Sequence, residues 1–190
     1  MISSNVLKPV LLFVLMLAAI VASCPGIKAA WDSETVYNDA VTTVDIDVDT
    51  TGIPHITFQD DTSDELWYAY KASGTWYFDT LDGGFYPGFQ PSICVDDVTG
   101  DIHLAFQHHN EQTLRHAVLD SSGIWFVEEV DSGQNTGLHS SIAARGLTTR
   151  IFYYSYYPTT RGLNYAHLDG ATWNTEVYNS QADEPSLVLD

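Results

Sequence analysis

The sequence predicts an all-β fold built from β-propeller blades, each of four antiparallel strands, behind a short N-terminal leader. Three observations carry this. Trp76, Trp125 and Trp173 recur at spacings of 49 and 48 residues, a period that suits one four-stranded blade. Four short motifs surround each Trp in the same order. The motifs are rich in β-branched and aromatic residues and are separated by Gly, Asp and Asn, whereas no window after the leader shows an apolar stripe at helical spacing.

The leader comes first. Val10 to Val21 is an unbroken apolar run of 12 residues, preceded by Lys8. A membrane-spanning helix needs about 20 such residues, so the run reads as the core of a signal peptide over residues 1–30 and the protein as exported, outside the cell or on its surface. Ala29 or Ala30 would end that leader. An alternative end is Val21-Ala22-Ser23-Cys24, which resembles the lipobox of bacterial lipoproteins and would make Cys24 a lipidation site. A retained N-terminal anchor is a third reading. The mature domain itself is not expected to enter a membrane.

Each repeat then reads as strands a to d. Strand a is Ile46-Asp47-Val48-Asp49, Ile93-Cys94-Val95-Asp96 and Ile142-Ala143-Ala144-Arg145. Strand b is Pro54-His55-Ile56-Thr57-Phe58, Ile102-His103-Leu104-Ala105-Phe106 and Thr149-Arg150-Ile151-Phe152-Tyr153. Strand c is Leu66-Trp67-Tyr68-Ala69, Leu114-Arg115-His116-Ala117 and Leu163-Asn164-Tyr165-Ala166. Strand d opens at the Trp, just after a Gly. The expected blades span about 44–82, 91–131 and 140–179 within a domain of residues 31–190. Trp31 to Asn38 matches Trp173 to Asn179, which predicts a lone strand d over 31–38. Pro185 to Asp190 matches Pro91 to Asp96, which predicts a lone strand a over 185–190. These unmatched ends lead us to expect a piece of a longer propeller, with the remaining blades as its partner. The alternative is an open arc that self-assembles, since bare blade edges are prone to pairing.

The Gly-x-Trp signature at the c–d turn resembles the sialidase-like propeller family, the bacterial neuraminidase or Asp-box repeats, whose box reads Ser-x-Asp-x-Gly-x-Thr-Trp. Degenerate forms stand at Ser73-Gly74-Thr75-Trp76, Asp120 to Trp125 and Asp169 to Trp173. The resemblance covers residues 31–190 and implies the propeller fold. Sialidase chemistry in that family requires three arginines on a carboxylate, a Tyr–Glu nucleophile pair and an acid/base Asp. Of this chain's arginines, Arg145 and Arg150 align with turn acids and strand histidines, and no Arg-Ile-Pro motif is present.

Composition excludes other classes. The chain holds 25 Asp and Glu against 7 Lys and Arg. Lys8 and Lys28 lie in the leader, where no acid stands, so the remainder is still more acidic than the overall net charge of −18. Nucleic acid and anionic membrane surfaces are therefore excluded as partners. An apolar share of 45% is too high for a disordered acidic tail. Cys24 and Cys94 are the two cysteines, and Cys94 is expected as a small buried apolar strand residue.

A propeller places its a–b and c–d turns on one face and its b–c and d–a loops on the other. The former repeat from blade to blade, which points to structural Asx turns and glycines at positive φ. The latter differ, and variable loops on a rigid scaffold are where binding usually sits. The expected binding face comprises Asp60, Asp61, Phe85, Tyr86, His108, His109, Tyr154, Tyr156, Tyr157 and Arg161. Aromatic rings would stack on a sugar ring while acids and amides take its hydroxyls. The partner is expected to be a glycan or a surface protein, and the module non-catalytic. The stretch from Ile102 to Arg115 also looks like a blade of propeller polysaccharide lyases, which implies His108, His109, Tyr156 and Arg115 as an acid/base and carboxylate-neutralising set. A purely structural repeat is a further alternative. His55 and His103, which align, are read as structural strand histidines, and His116 likewise. No cofactor or metal motif is present. Asp96 to Asp101 and Asp60 to Glu65 offer hard oxygen donors suited to weak Ca²⁺ binding but lack EF-hand spacing, so they read as solvated turns.

Overall fold

Strand-forming runs and turn residues alternate after residue 40, and the chain folds accordingly. The structure, a computed structural model, describes residues 32–81, 88–156, 161–179 and 185–188. They divide into two units, Met1–Thr35 and Val36–Asp190. Residues 32–35, the described part of the first, carry no regular structure.

Among the described residues, twelve strands form three four-stranded antiparallel sheets. Blade 1 is β1 (Val41–Val48), β2 (Pro54–Asp60), β3 (Leu66–Ala72) and β4 (Thr75–Thr80). Blade 2 is β5 (Gly88–Val95), β6 (Ile102–His108), β7 (Thr113–Leu119) and β8 (Trp125–Asp131). Blade 3 is β9 (Leu138–Arg145), β10 (Thr148–Ser155), β11 (Gly162–Asp169) and β12 (Thr172–Asn179). Within each sheet the strands pair in chain order, the meander of a propeller blade. Among the described residues no helix is long and apolar enough to cross a membrane.

The turns follow local chemistry. Asp49 Oδ1 accepts the amides of Thr51 and Ile53, both at 2.8 Å. Asp96 Oδ1 accepts those of Val98 and Thr99 at 2.8 and 3.2 Å. These Asx turns close with Gly52 and Gly100 at φ of 87° and 79°, where a Cβ would be strained. The register of each strand a shifts near its start, between Val41 and Val44 and between Phe89 and Ser92, with the matching shift opposite β9. Gln90 and His139 take positive φ at these bulges, and His139 N donates to Gln90 Oε1 at 2.8 Å.

Blade 2 is sandwiched. Successive residues of a strand point to opposite faces, so Leu104 and Phe106 of β6 pack with Leu66, Tyr68 and Leu81 of blade 1. Ala105, with Leu114 and Val130, packs against Ile151, Tyr153 and Ala166 of blade 3. Burying a side chain such as Phe106 contributes about 1.5–3 kcal/mol.

Polar bonds stitch the inner strands. Ile93 N and Val95 N donate to Asp45 Oδ2 and Asp47 Oδ2 at 3.0 and 2.8 Å. Ala144 N donates to Cys94 Sγ at 3.2 Å. At the outer strands, Trp125 Nε1 donates to Asp79 Oδ2 (3.2 Å) and Trp173 Nε1 to Glu128 Oε1 (2.9 Å).

Three expectations need correction. Residues 32–40 form no strand, because a strand d needs a strand c beside it and the three described c strands are paired on both edges. Instead Tyr37 packs its ring on Phe58 at 4.9 Å and lies near Trp67 and Phe78. Residues 185–188 also form no strand; Leu187 N donates to Ser141 Oγ at 2.9 Å, the position at which Ile93 meets Asp45, but no strand b lies beside it among the described residues. Cys94 is half-buried rather than core. Its sulfur serves the Ala144 amide, and burial pushes its thiol pKa up.

Candidate functional site

The rim formed by the b–c and d–a loops is built on the ends of β2, β6 and β10. Asp60, the last residue of β2, is 4% exposed. Tyr37 donates its hydroxyl to Asp60 Oδ2 at 2.6 Å, and Oδ1 accepts the amides of Thr62 and Ser63. The Tyr37 bond and these amides hold the Asp60 carboxyl below its ordinary value, and the same bond pushes the Tyr37 phenol up to about 12. Asp60 therefore organises its loop and is not a free carboxylate of the binding face. Asp61 is exposed.

His108, at the end of β6, is half-buried, and its Nδ1 accepts the Glu111 amide at 3.3 Å. Burial pushes its pKa down. Arg115 of β7 is clamped between Glu111 and Glu129, the latter at 3.1 Å. That guanidinium is neutralised within its own blade, unlike the free cation that a lyase would turn towards a uronate. His109 is exposed and its ring leans on Phe89 at 5.9 Å.

A tightly held loop carries the rim onward. Thr136 N donates to Gln112 O at 3.0 Å, Leu114 N to Thr136 Oγ1 at 3.0 Å, and Gln107 Nε2 to Thr136 O at 2.8 Å. Gly137 lies at φ 86°, and a Cβ there would meet Leu114 Cα at 3.0 Å. Across the blade boundary, Tyr156 N donates to Asn135 O at 3.0 Å.

Tyr156 thus reaches the rim beside Tyr154, with ring centroids 6.4 Å apart. Arg161 lies over the Tyr156 ring at 4.9 Å and its Nε donates to Tyr154 Oη at 3.3 Å. Tyr156 remains 57% exposed. The structure therefore brings Tyr154, Tyr156 and Arg161 into one cluster, joins His108 to Glu111 and Arg115, and connects the two groups through the 131–137 loop. Phe85, Tyr86 and Tyr157 lie outside the described residues, as does Cys24. Among the described residues no group of three or more His, Cys, Asp or Glu is arranged to hold a metal. The turn acids are already engaged: Asp96 by backbone amides, and Asp60 by two amides and the Tyr37 hydroxyl.

Two hollows lie elsewhere. One, of about 480 Å³, runs along the inner strands and is lined by Asp45, Asp47, Ile93, Cys94 and Ser141 among others. Of its three acids, Asp45 and Asp47 are bound to the amides of Ile93 and Val95, and Asp97 pairs with Arg145. The other, of about 250 Å³, opens between the a–b turns of blades 1 and 2. Asp49 and His55 line it, with His55 Nε2 3.6 Å from Asp49 Oδ2. His55 and His103 hold equivalent strand positions, and each bonds within its own blade, to Tyr68 and to His116.

No family model matches the sequence, and no curated protein matches it. Solved propellers share its fold. SapL1 lectin, solved with α-methyl fucoside, superposes with a TM-score of 0.55 at 17% identity, covering 79% of this chain and 52% of that one. AofleA from Arthrobotrys oligospora gives 0.55 at 12% identity, covering 78% and 47%. A fungal lectin from Aleuria aurantia, described as a six-bladed β-propeller with a novel fucose recognition mode, gives 0.50 at 14% identity, covering 70% and 47%. The chain spans about half the length of these proteins. At such identities the likeness shows the β-propeller fold.

Proposed function

We propose that this chain is an exported, non-catalytic propeller module that binds glycan on its b–c/d–a rim. Residues 1–30 are its leader, with lipidation at Cys24 as the alternative end. The reading rests on the Tyr154–Tyr156–Arg161 cluster. Arg161 braces one face of the Tyr156 ring, which leaves an exposed, oriented aromatic surface for the apolar face of a pyranose. Exposed Asp61 and His109 add acceptors and donors along the same rim. The propeller lectins among the structural neighbours support the class of ligand, and the acidic surface favours neutral sugars over acidic ones. Within this reading the repeats are sialidase-like in ancestry, and further blades are the module's structural partner.

The test is binding of the full chain to immobilised neutral oligosaccharides and to methyl α-fucoside. Tyr156→Ala is expected to weaken binding about tenfold, roughly 1.4 kcal/mol. Retention unchanged by both Tyr156→Ala and Arg161→Ala would overturn the rim as the binding face.

A further inference from the structure

The rim carries a conformational signature that its aromatic cluster does not explain. Among the described residues, six other than glycine take positive φ: Asp64, Ser73, Gln90, Gln112, Asn135 and His139. All but Ser73 lie on the b–c/d–a side, in a b–c loop, in the 131–137 loop or at the rim end of a strand a. The a–b and c–d turns of the opposite face place a glycine in that region instead. A side chain held at positive φ carries strain that glycine avoids, so each of these side chains needs a reason of its own. Three have one within the fold. Asp64 Oδ1 accepts Gln59 Nε2 at 3.4 Å. Gln90 Oε1 accepts the His139 amide at 2.8 Å, which pins both bulges. Gln112 and Asn135 have none: Gln112 is exposed, Asn135 is half-exposed, and neither carboxamide is bonded to another described residue. Exposure leaves little packing to offset the strain at Gln112, and glutamine lacks the local bonding that lets asparagine visit this region.

Backbone bonds bring both residues beside Tyr156. Tyr156 N donates to Asn135 O at 3.0 Å, and Thr136 N donates to Gln112 O at 3.0 Å. Segments bonded in this way stand about 5 Å apart between Cα atoms, so Gln112, Asn135 and Tyr156 sit on three adjacent segments at the boundary of blades 2 and 3. Their frame is rigid, because Thr136 is fully buried and bonded at its amide, hydroxyl and carbonyl. Tyr156, braced by Arg161, offers a face for ring carbons. The hydroxyls of a stacked sugar still need partners, and Arg115 is taken by Glu111 and Glu129. A carboxamide donates and accepts through neighbouring atoms, a pattern that two adjacent pyranose hydroxyls complete.

We propose that Gln112 and Asn135 are the specificity-determining residues of the rim, their carboxamides binding adjacent hydroxyls of a neutral sugar stacked on Tyr156. This rests on the rim as the glycan-binding face and supplies the polar half of that site. Both amides are uncharged, so an anionic sugar gains no ion pair from them and meets an acidic surface. Neither residue is aromatic or charged, so neither stands out in the sequence; backbone conformation singles them out.

The experiment is an NMR titration of the isotope-labelled full chain with the methyl glycosides of fucose, galactose, glucose and mannose at millimolar concentration. With at least one of them, the side-chain amide resonances of Gln112 and Asn135 are expected to shift saturably, with the same midpoint as the Tyr156 amide. Asn135→Gly and Gln112→Gly remove the carboxamides and relieve the positive φ. Each is expected to weaken that binding about fivefold to tenfold, while the urea midpoint does not fall. A residue that only shapes its loop would leave the affinity unchanged on replacement by glycine. Weaker binding in Tyr156→Ala with wild-type affinity in both glycine variants would overturn the proposal and leave the rim standing. Wild-type affinity in all three variants would overturn the rim and the proposal together, as would no saturable shift with any of the four glycosides. Glycine variants that lose binding together with a lower urea midpoint would assign both residues to folding and overturn the proposal.

Discussion

The two blade boundaries use the same repeat positions to different ends. Between blades 1 and 2 the contact is mainly apolar and aromatic: Leu66, Tyr68, Leu81, Leu104, Phe106 and Trp125 form one cluster, with the Trp125 edge on Tyr68 at 5.4 Å. Between blades 2 and 3 the apolar cluster is joined by a buried polar relay. His103 Nδ1 meets His116 Nε2 at 3.0 Å, His116 Nδ1 meets Glu128 at 2.9 Å, and Trp173 donates to the same carboxylate. Tyr153 adds a bond to Asp131 at 2.6 Å. The difference teaches that one repeat position can be satisfied in two ways. The second boundary links these polar groups to one another and leaves His103 Nε2 without a hydrogen-bond partner. At the first, His55 Nε2 lies 3.6 Å from Asp49 Oδ2 beside a hollow of about 250 Å³.

The comparison breaks most sharply in the apolar seam. Phe106 is fully buried, so Phe106→Ala is expected to cost about 3–5 kcal/mol, against about 0.5–1.5 kcal/mol for Ile151→Val across the other boundary. Urea denaturation with an unchanged slope would measure both.

Next comes the relay. Glu128→Ala leaves the buried His116 and Trp173 N–H groups without their acceptor, and is expected to cost about 1–3 kcal/mol. Asp79→Ala removes the corresponding acceptor of Trp125, but Asp79 is exposed and water can replace it, so the expected cost is about 1 kcal/mol or less. Equal losses in the two variants would mean that the boundaries are not different in kind.

The smallest effect is in pH. Burial, then the neighbouring His116, push His103 down to about 4. The unfolded chain holds that proton more tightly, near pH 6.5, so the unfolded state binds more protons between those values. The stability contributed by neutral His103 is full above about pH 6.5 and is lost as pH falls towards about 4. Buried His55 and half-buried His108 shift in the same direction. The urea midpoint is expected to fall across this window, and His103→Gln to flatten that fall. A midpoint independent of pH would contradict the buried, neutral assignment.

Much of the blade was legible in advance because repetition and periodicity are local. The Trp period, the Ile-centred inner strands and the Asx turns at Asp49 and Asp96 could each be read from short windows. The rung between blades is legible too. Trp76, Trp125 and Trp173 each stand three residues before an acid, Asp79, Glu128 and Glu176, and the second and third Trp bond to the acid of the blade before. The candidate rim was only partly legible. Tyr154, Tyr156 and Arg161 lie close in sequence and meet in space. Asp60 looked equally suited to binding, yet its oxygens belong to Tyr37, 23 residues earlier, and to its own loop.

The sequence by itself determined the strands, their turns and the acidic character, because side-chain alternation, turn chemistry and charge count do not depend on distant neighbours. Tertiary structure alone decided which polar groups are spent and which are left over. That outcome depends on what the next blade presents about 48 residues away: Gly146 N reaches Asp96, Glu128 reaches Trp173, and neither His55 Nε2 nor His103 Nε2 finds a hydrogen-bond partner. Two aligned histidines look alike in the chain. Only their packing sets one against Tyr68 and the other against a second histidine, His116.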